Sequence, residues 1–156
     1  MTEHAIPAAA SVTDVLGLDH RRLDAVLSAA KQALHAGDVA RGAERFAAFR
    51  AGLERHIAVE EEILFPAFEA ATGMAQGGPT HVMRLEHREL RALMAEIGSA
   101  LEGALDGPLT TPLAALTARI YAHNGKEERI LYPAIDQIAR GDDTLDALLE
   151  KVTSAL

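Results

Sequence analysis

The chain contains an internal repeat, and no other feature of the sequence constrains its fold as strongly. A shift of 67 residues, without any gap, aligns residues 18–23 with 85–90 and residues 56–67 with 123–134. The aligned stretches carry the same histidines and glutamates at the same spacing. Because copies of one unit stack by burying equivalent apolar faces, the repeat predicts a molecule built from two similar halves. Residues that the shift aligns are called repeat partners below.

The hydrophobic pattern of both halves is helical. Apolar residues recur at steps of three and four, and alternating Val/Ile/Thr-rich runs typical of strands are missing. We expect helices over residues 12–35, 39–71, 80–105 and 110–141, and a short one ending at the C-terminus. Glycines and prolines in 72–79 separate the halves. Thr110 or Thr111 is expected to cap the fourth helix, and Asp142 or Asp143 the fifth.

Each half is therefore a helical hairpin, and the predicted fold is all-α. Two hairpins form an up-down four-helix bundle, here followed by a short C-terminal helix. A length of 156 residues is typical of one domain. We place the bundle domain at residues 12–156 and a flexible N-terminal tail at residues 1–11.

The composition excludes several kinds of site and partner. The chain has no cysteine, so it can form neither disulfide bridges nor thiolate metal sites. Its formal charge is −8 and its basic residues are not clustered, which argues against nucleic acid or an anionic membrane as a partner. The N-terminal stretch, with an early Glu3 and no long apolar run, resembles neither a signal peptide nor a membrane span. We therefore expect a cytoplasmic protein.

The repeated histidines and glutamates lie on the apolar faces of the predicted helices. On a helical wheel, Glu60 is about 40° from His56, and Glu127 has the same relation to His123. The apolar residues within about 60° of these two histidines are Phe49, Leu53, Ile63, Leu116, Ile120 and Ile130. Leucines and methionines flank His20 and His87 in the same way. The sequence therefore places four imidazoles and two carboxylates inside the bundle.

Such a buried polar layer requires a compensating charge, because unpaired polar groups in a core are costly. Metal ions supply it: two histidines on each ion and two bridging glutamates give four protein donors per ion and leave positions open for chemistry. These donors suit Fe, Mn and Zn, and no soft ligand is present to select copper(I). Hydrogen-bonded core histidines are the alternative, but they explain single positions better than a set recurring in both halves.

The same residues resemble those of the hemerythrin-like (HHE cation-binding) domain family. The resemblance covers about residues 12–140 and consists of His20, His56-x-x-x-Glu60 with Phe65-Pro66, Glu86-His87, and His123-x-x-x-Glu127 with Tyr132-Pro133. It implies a four-helix bundle with a non-haem di-iron centre, two Fe ions with an oxo or hydroxo bridge, that binds or reacts with dioxygen, nitric oxide or peroxide. The implied metal ligands are His20, His56, Glu60, His87, His123 and Glu127.

Met83 is a departure from the pattern of the oxygen carriers. True hemerythrins, which this chain resembles, have a further histidine one turn before the third-helix histidine, where this chain has Met83. A weak thioether ligand is one role for Met83, but its repeat partner is Leu16, so we expect Met83 to pack in the core. Without a fifth imidazole both ions keep exchangeable positions, and we expect a poor reversible oxygen carrier.

The residues around the motif are expected to be structural. Glu61, Glu62 and Glu128 lie 100° or more from the ligand face and are expected to be solvated. Phe65 and Tyr132 lie roughly opposite the ligands and are expected to pack at a bundle end or a subunit contact. The remaining histidines are expected in the tail or at helix ends: His4, His35 and His81.

Asp24 and Arg91 are repeat partners that lie one turn after His20 and His87. We expect them to form an ion pair between the two hairpins. Orientation of the metal ligands is the alternative role for both residues.

Three kinds of function remain open for this site. The first is a di-iron protein for sensing, storage or detoxification of a small diatomic ligand or peroxide. The second is a di-iron enzyme or a repair factor for iron-sulfur clusters, although the absence of cysteine counts against cluster repair. The third is a bundle stabilised by a structural metal such as zinc. Zn or Mn can also occupy the site on overexpression, and a sensor would need a separate signalling partner or a homo-oligomer.

Overall fold

The computed structural model describes residues 11–103 and 109–156. Its helices are α1 (Val12–His35), α2 (Val39–Val59), a first π segment (Glu60–Leu64), α3 (Phe65–Thr72), α4 (Pro79–Leu101), α5 (Thr110–Lys126), a second π segment (Glu127–Leu131), α6 (Tyr132–Gly141) and α7 (Leu145–Ala155). The described ranges contain no strand. The predicted all-α fold is therefore confirmed.

The helices pack as two hairpins. The first π segment joins α2 and α3 into one continuous helix, and the second joins α5 and α6 in the same way. Helix α1 packs along α2, and α4 packs along α5. Contacts of α2 with α4 and of α1 with α6 join the two hairpins, while α7 packs on the first π segment and α6. This is the predicted bundle of two repeated hairpins with a short C-terminal helix.

The predicted helix caps are wrong. Helix α5 begins at Thr110 after Leu109, and neither threonine side chain caps it. Helix α7 begins after Thr144, because the backbone before it completes the end of α6. There the backbone N–H of Asp143 donates to the carbonyl of Arg140, and the φ of Asp143 is 57°, unlike the extended backbone of most N-cap residues. The predicted end of the third helix at residue 105, like the tail at residues 1–10, lies outside the described residues.

The start of α1 is tied to α6, far away in the sequence. The carboxylate of Asp136 accepts hydrogen bonds from the backbone N–H of Val12 (2.6 Å) and of Thr13 (3.1 Å). The hydroxyl of Thr13 donates to the same carboxylate, and the side chain of Ser11 accepts from the N–H of Asp14. Free N–H groups at a helix start are thereby satisfied, and α1 is fixed on the bundle.

The two π segments are regular features of the repeat. The backbone N–H of Phe65 donates to the carbonyl of Glu60, and that of Tyr132 donates to the carbonyl of Glu127, each five residues earlier. A proline follows directly in both cases, and proline has no N–H for the usual bond to the residue four positions earlier. The wider turn keeps the helix continuous, whereas the sequence had predicted an undisturbed α-helix.

Two apolar clusters fill the core, and the histidines and glutamates of the motif lie between them on every long helix. One cluster contains Leu23, Leu27, Phe46, Phe49, Leu53, Leu90, Met94, Ile97, Leu116 and Ile120 among others. The other contains Val12, Leu16, Leu64, Phe65, Phe68, Met83, Leu131, Tyr132, Ile135 and Val152 among others. Met83 and Leu16 share this second cluster, as predicted. In the described part of the chain, no helix is both long and apolar enough to span a bilayer.

Candidate metal centre

The six predicted ligands lie together in one buried layer. They form two groups of four residues, and within each group one donor atom per residue lies within 4.8 Å of the others. The first group is His20, His56, Glu60 and Glu127, and the second is Glu60, His87, His123 and Glu127. Both glutamates belong to both groups. This arrangement matches two neighbouring metal positions that share two carboxylates.

Each glutamate spans the two halves. The Oε1 atom of Glu60 is 3.1 Å from Nε2 of His56, and its Oε2 atom is 3.0 Å from Nε2 of His87. The Oε1 atom of Glu127 is 3.1 Å from Nε2 of His123 and 3.4 Å from Nε2 of His20. The Nε2 atoms of His87 and His123 are themselves only 3.2 Å apart. All four imidazoles therefore direct Nε2 at the same small volume.

Each imidazole also has a carboxylate beside its other nitrogen. The Nδ1–oxygen distances are 2.8 Å for His56 with Asp19, 2.8 Å for His87 with Glu61, 2.9 Å for His123 with Glu86 and 3.4 Å for His20 with Glu128. The first three are hydrogen bonds, whereas Nδ1 of His20 has no hydrogen-bond partner. A ring that donates Nδ1–H to a carboxylate is held in one orientation, and its Nε2 is left to face the centre.

The expectation that Glu61 and Glu128 are solvated is therefore wrong, whereas Glu62 is exposed as predicted. Both residues lie in the π segments, whose wider turn changes the direction of side chains relative to an ideal helical wheel. One signal in the sequence could have revealed their role. Glu61 and Glu128 are repeat partners, and so are Asp19 and Glu86, so acidity recurs at these positions together with the ligands.

The placement of Tyr132 also differs from the prediction. Its hydroxyl donates a short hydrogen bond to Oε1 of Glu60 and lies 3.3 Å from Nε2 of both His20 and His56. One extra residue in the preceding turn shifts the side chains that follow by about 100°, which turns Tyr132 inward. The same shift leaves Ile130, expected on the ligand face, 64% exposed.

Phe65, the repeat partner of Tyr132, is turned inward in the same way. It is completely buried, and its ring stacks on His87 with the centroids 5.7 Å apart. Phe65 has no hydroxyl, so only the half with His20 and His56 receives a hydrogen-bond donor at this position.

The glutamate oxygens show whether this layer fits a metal. Both carboxylates are fully buried, and Oε2 of Glu60 and both oxygens of Glu127 accept no hydrogen bond. A buried carboxylate oxygen without a donor carries a large desolvation cost. Cations between the glutamates and the four Nε2 atoms would remove this cost. The residues present therefore fit a pair of metal ions.

The titration of the cluster points in the same direction. Burial opposes the charging of His56, but the charge of Glu60 and the hydrogen bond with Asp19 raise its pKa to about 10. In His123 the Glu127 carboxyl group, 3.1 Å from Nε2, likewise outweighs burial and raises the pKa to about 9. Both rings therefore hold a second proton at neutral pH, beside Glu60 and Glu127.

The two glutamates and His20 respond differently to the same environment. Burial opposes ionisation of Glu60, but the charge of His56 and hydrogen bonds hold its pKa well below the usual range. Burial and the charge of Glu60 raise the pKa of Glu127 to about 8. Burial and the charge of His56 lower the pKa of His20 to about 4. Protons on His56, His123 and Glu127 thus compete with metal ions for the same donor atoms.

The remaining candidates lie outside the centre. His35 is exposed at the end of α1, as expected. His81 lies near the start of α4, as expected, but is half-buried rather than on the surface; His4 lies outside the described residues. Arg91 pairs with Glu54 and Glu61 rather than with Asp24, so the predicted ion pair is wrong. Helix α1 faces α5 across one side of the bundle and α4 faces α2 across another, which keeps Asp24 and Arg91 apart.

Comparison with known proteins identifies the family. The sequence matches the hemerythrin HHE cation binding domain over residues 7–151, nearly the whole chain. The chain belongs to this family. No curated protein and no solved structure matches the chain.

As a hemerythrin HHE domain, the protein combines two indications of metal binding. The family is defined as cation-binding, and the chain buries two overlapping groups of four histidine and glutamate donors. The resemblance drawn from the repeated motifs is therefore confirmed, and a buried metal-binding site is supported.

Proposed function

We propose that this hemerythrin HHE domain holds two iron ions and that its partner is a small diatomic ligand or peroxide. His20 and His56 would hold one ion, His87 and His123 the other, and Glu60 and Glu127 would bridge them. Such a protein would serve in sensing, storage or detoxification of dioxygen, nitric oxide or peroxide in the cytoplasm.

One observation carries the proposal: both glutamates belong to both donor groups, and three of their four oxygens accept no hydrogen bond. A single ion would satisfy one group and leave part of the other unpaired in the core. Two ions satisfy all six side chains at once. The repeat explains how one short sequence unit supplies two equivalent sets of donors.

The chain's own residues orient the donors and exclude water. When bound, iron supplies electrons and open coordination positions for dioxygen, nitric oxide or peroxide. Asp19, Glu61 and Glu86 hold three imidazole rings in place, and the Tyr132 hydroxyl holds Oε1 of Glu60. The apolar clusters on both sides shield the layer from solvent.

Metal analysis of the protein isolated from its native host tests the proposal directly. We expect about two iron atoms per chain and an optical spectrum that differs between aerated and reduced samples. A His35→Ala variant, changed at an exposed histidine outside the cluster, should keep both iron ions, whereas His56→Ala should lose about one of the two. Iron-free native protein would refute the proposal.

A structural zinc site is the second candidate, because each group contains four protein donors, the number that closed zinc sites use. The two candidates differ in reactivity. Reduced iron protein mixed with oxygenated buffer in a stopped-flow instrument should oxidise rapidly and should not recover when the gas is removed. A zinc protein shows no absorbance change, and a stable oxygenated form that recovers on degassing would identify a reversible carrier instead.

A further inference from the structure

A cleft runs between α1 and α5 on the His20 side of the proposed metal centre. Its volume is about 570 Å³, and it extends on α1 from Lys31 to His20. Buried Leu27 and Ile120 form part of its wall. His20, whose Nε2 faces the centre, is one of its lining residues. The cleft therefore leads from solvent towards His20, which is itself only 3% exposed.

The equivalent side of the other half is bridged by ion pairs. There Arg91 of α4 reaches across to α2, with its Nε atom 3.1 Å from Glu54 and its Nη1 atom 3.4 Å from Glu61. The repeat partners of Arg91, Glu54 and Glu61 are Asp24, Tyr121 and Glu128. Asp24 is short and carries the same charge as Glu128, so it cannot bridge α1 and α5 as Arg91 bridges α4 and α2.

The inner end of the cleft is the least tightly held part of the centre. Glu128 lies 3.4 Å from Nδ1 of His20 without a hydrogen bond, while the other three histidines donate to their carboxylates. About a third of the Glu128 side chain is exposed, and its outer partner is Arg21 at 3.9 Å. Gly17 makes room for it, since a Cβ there would lie 2.8 Å from the carboxylate.

A smaller cavity near the other half is a weaker candidate for the same role. It has a volume of about 140 Å³ and touches His123 between α4 and α5. Ion pairs of Lys126 with Glu86 and of Arg119 with Glu89 lie along it. Glu86 also holds His123, so opening this cavity would break the hydrogen bond that orients a ligand.

We propose that small molecules reach the centre through the α1–α5 cleft, past Glu128 and His20. The identity of the molecules that enter rests on the proposed function, whereas the position of the route rests on the structure alone. The cleft favours neutral or singly negative molecules of the size of peroxide or azide. Its three cationic side chains outnumber its two carboxylates, in a chain whose net charge is −8: Arg21, Lys31 and Arg129 against Asp24 and Glu128.

A variant that builds the ion pairs of the α4–α2 side into the α1–α5 cleft tests the route. We call it the transplant. In Asp24→Arg/Tyr121→Glu, the new arginine should pair with Glu128 and the new glutamate, as Arg91 pairs with Glu61 and Glu54. Both positions are exposed, so the bundle should fold; Asp24→Arg alone is a milder second variant. The matched control, Ala25→Arg/Ala118→Glu, adds the same charges at exposed positions that do not line the cleft.

The first measurement uses the metal-free protein and is independent of the proposed function. The chain has no tryptophan and two tyrosines, so removing Tyr121 leaves Tyr132, beside His20, as the single fluorophore. Acrylamide should quench Tyr132 several-fold more slowly in the transplant than in Tyr121→Phe. The control pair, placed in the Tyr121→Phe background, should quench like Tyr121→Phe. Equal quenching in transplant and reference would overturn the route.

The second measurement uses the iron-loaded protein with azide as the probe. A narrower route raises the barrier in both directions, so the association and dissociation rate constants should both fall about tenfold while Kd stays unchanged. A changed Kd with an unchanged association rate constant would overturn the route. If azide does not bind the unmodified iron protein, the proposed function fails, and the fluorescence result still decides the route.

Discussion

The two halves of the bundle supply the same set of donors to the centre but differ in the residues around these donors. Both contribute two histidines, a shared glutamate and two carboxylates beside the histidine Nδ1 atoms. Around these donors the repeat has diverged: Tyr132 replaces Phe65, and Asp24 replaces Arg91. The comparison shows that two equivalent donor sets can have unequal hydrogen bonding and unequal access to solvent.

Removing a shared glutamate should have the largest effect, because it breaks both halves at once. Glu60→Ala and Glu127→Ala should each lower metal content at both positions, since each glutamate belongs to both donor groups. His20→Ala, which belongs to one group, should lose about one ion and keep the other. Metal content per chain distinguishes these outcomes. Full loading of Glu60→Ala would show that the halves bind metal independently.

Proton competition should be the next largest effect. At pH 7 the raised pKa values of His56 (about 10), His123 (about 9) and Glu127 (about 8) keep protons on atoms that metal ions need. Metal affinity should therefore rise with pH, by about tenfold per unit for each proton displaced. Calorimetric titrations in two buffers of different ionisation enthalpy count the protons released. A pH-independent affinity would contradict this competition.

The stability of the metal-free protein should fall as the pH rises, whereas the metal affinity rises. The raised pKa values of His56 and His123 contribute stability that is complete below pH 6.5 and is lost as the pH rises through about 9 and 10. Glu127 adds a further loss between pH 4.5 and about 8. The Tm of chelated protein should fall from pH 6.5 to pH 10, and that of metal-loaded protein should exceed it increasingly.

The carboxylates beside Nδ1 sharpen the comparison between the halves. Glu61→Gln removes a well-formed partner of His87 and should lower metal affinity by about 10- to 100-fold. Glu128→Gln should lower it less than about threefold, because Glu128 makes no hydrogen bond with His20. Competition with a chelator of known affinity measures both. Equal losses would mean that the two halves orient their ligands equally well.

Replacing Tyr132 by phenylalanine, the residue that follows the first π segment, should have the smallest effect. Tyr132→Phe removes the hydrogen bond to Glu60 and should lower the free energy of unfolding of the metal-free protein by about 1 kcal/mol. Tyr121→Phe is the matched control, because Tyr121 is 80% exposed and its removal should leave stability unchanged. Denaturant unfolding measures both. An unchanged stability of Tyr132→Phe would show that this hydroxyl contributes nothing without metal.

The helices and the cluster of six donors could be predicted because they rest on long-range regularity. Helical periodicity continues through each half, and the repeat singles out the same residue types twice. The π segments could not be predicted in this way. A proline at position 66 or 133 shows that one backbone hydrogen bond is missing, but not that the helix continues through a wider turn. The inward position of Tyr132 and the role of Glu61 follow from that turn.

The open cleft was hidden for a different reason. Asp24 and Arg91 have opposite charges, and a sequence comparison cannot show that the bundle separates them. Once it is known that α1 faces α5 and that α4 faces α2, the charges explain the difference. Arg91 can bridge α4 to the glutamates of α2 and the first π segment, whereas Asp24 cannot bridge α1 to Glu128. Repeat partners are therefore informative in two ways. Identical residues at both positions indicate the donors, and different residues indicate where the surroundings of the two donor sets differ.

The hydrogen bonds between Asp136 and the start of α1 can form only late during synthesis. Val12 and Asp136 are 124 residues apart, so α1 gains its last anchor only after most of the chain has left the ribosome. By then Glu127 has already emerged. In a nascent chain that ends before Glu127, the available donors include His20, His56 and Glu60, but the second shared carboxylate is missing. Metal captured at that stage would meet an incomplete set of donors, so complete loading of the proposed site would follow translation.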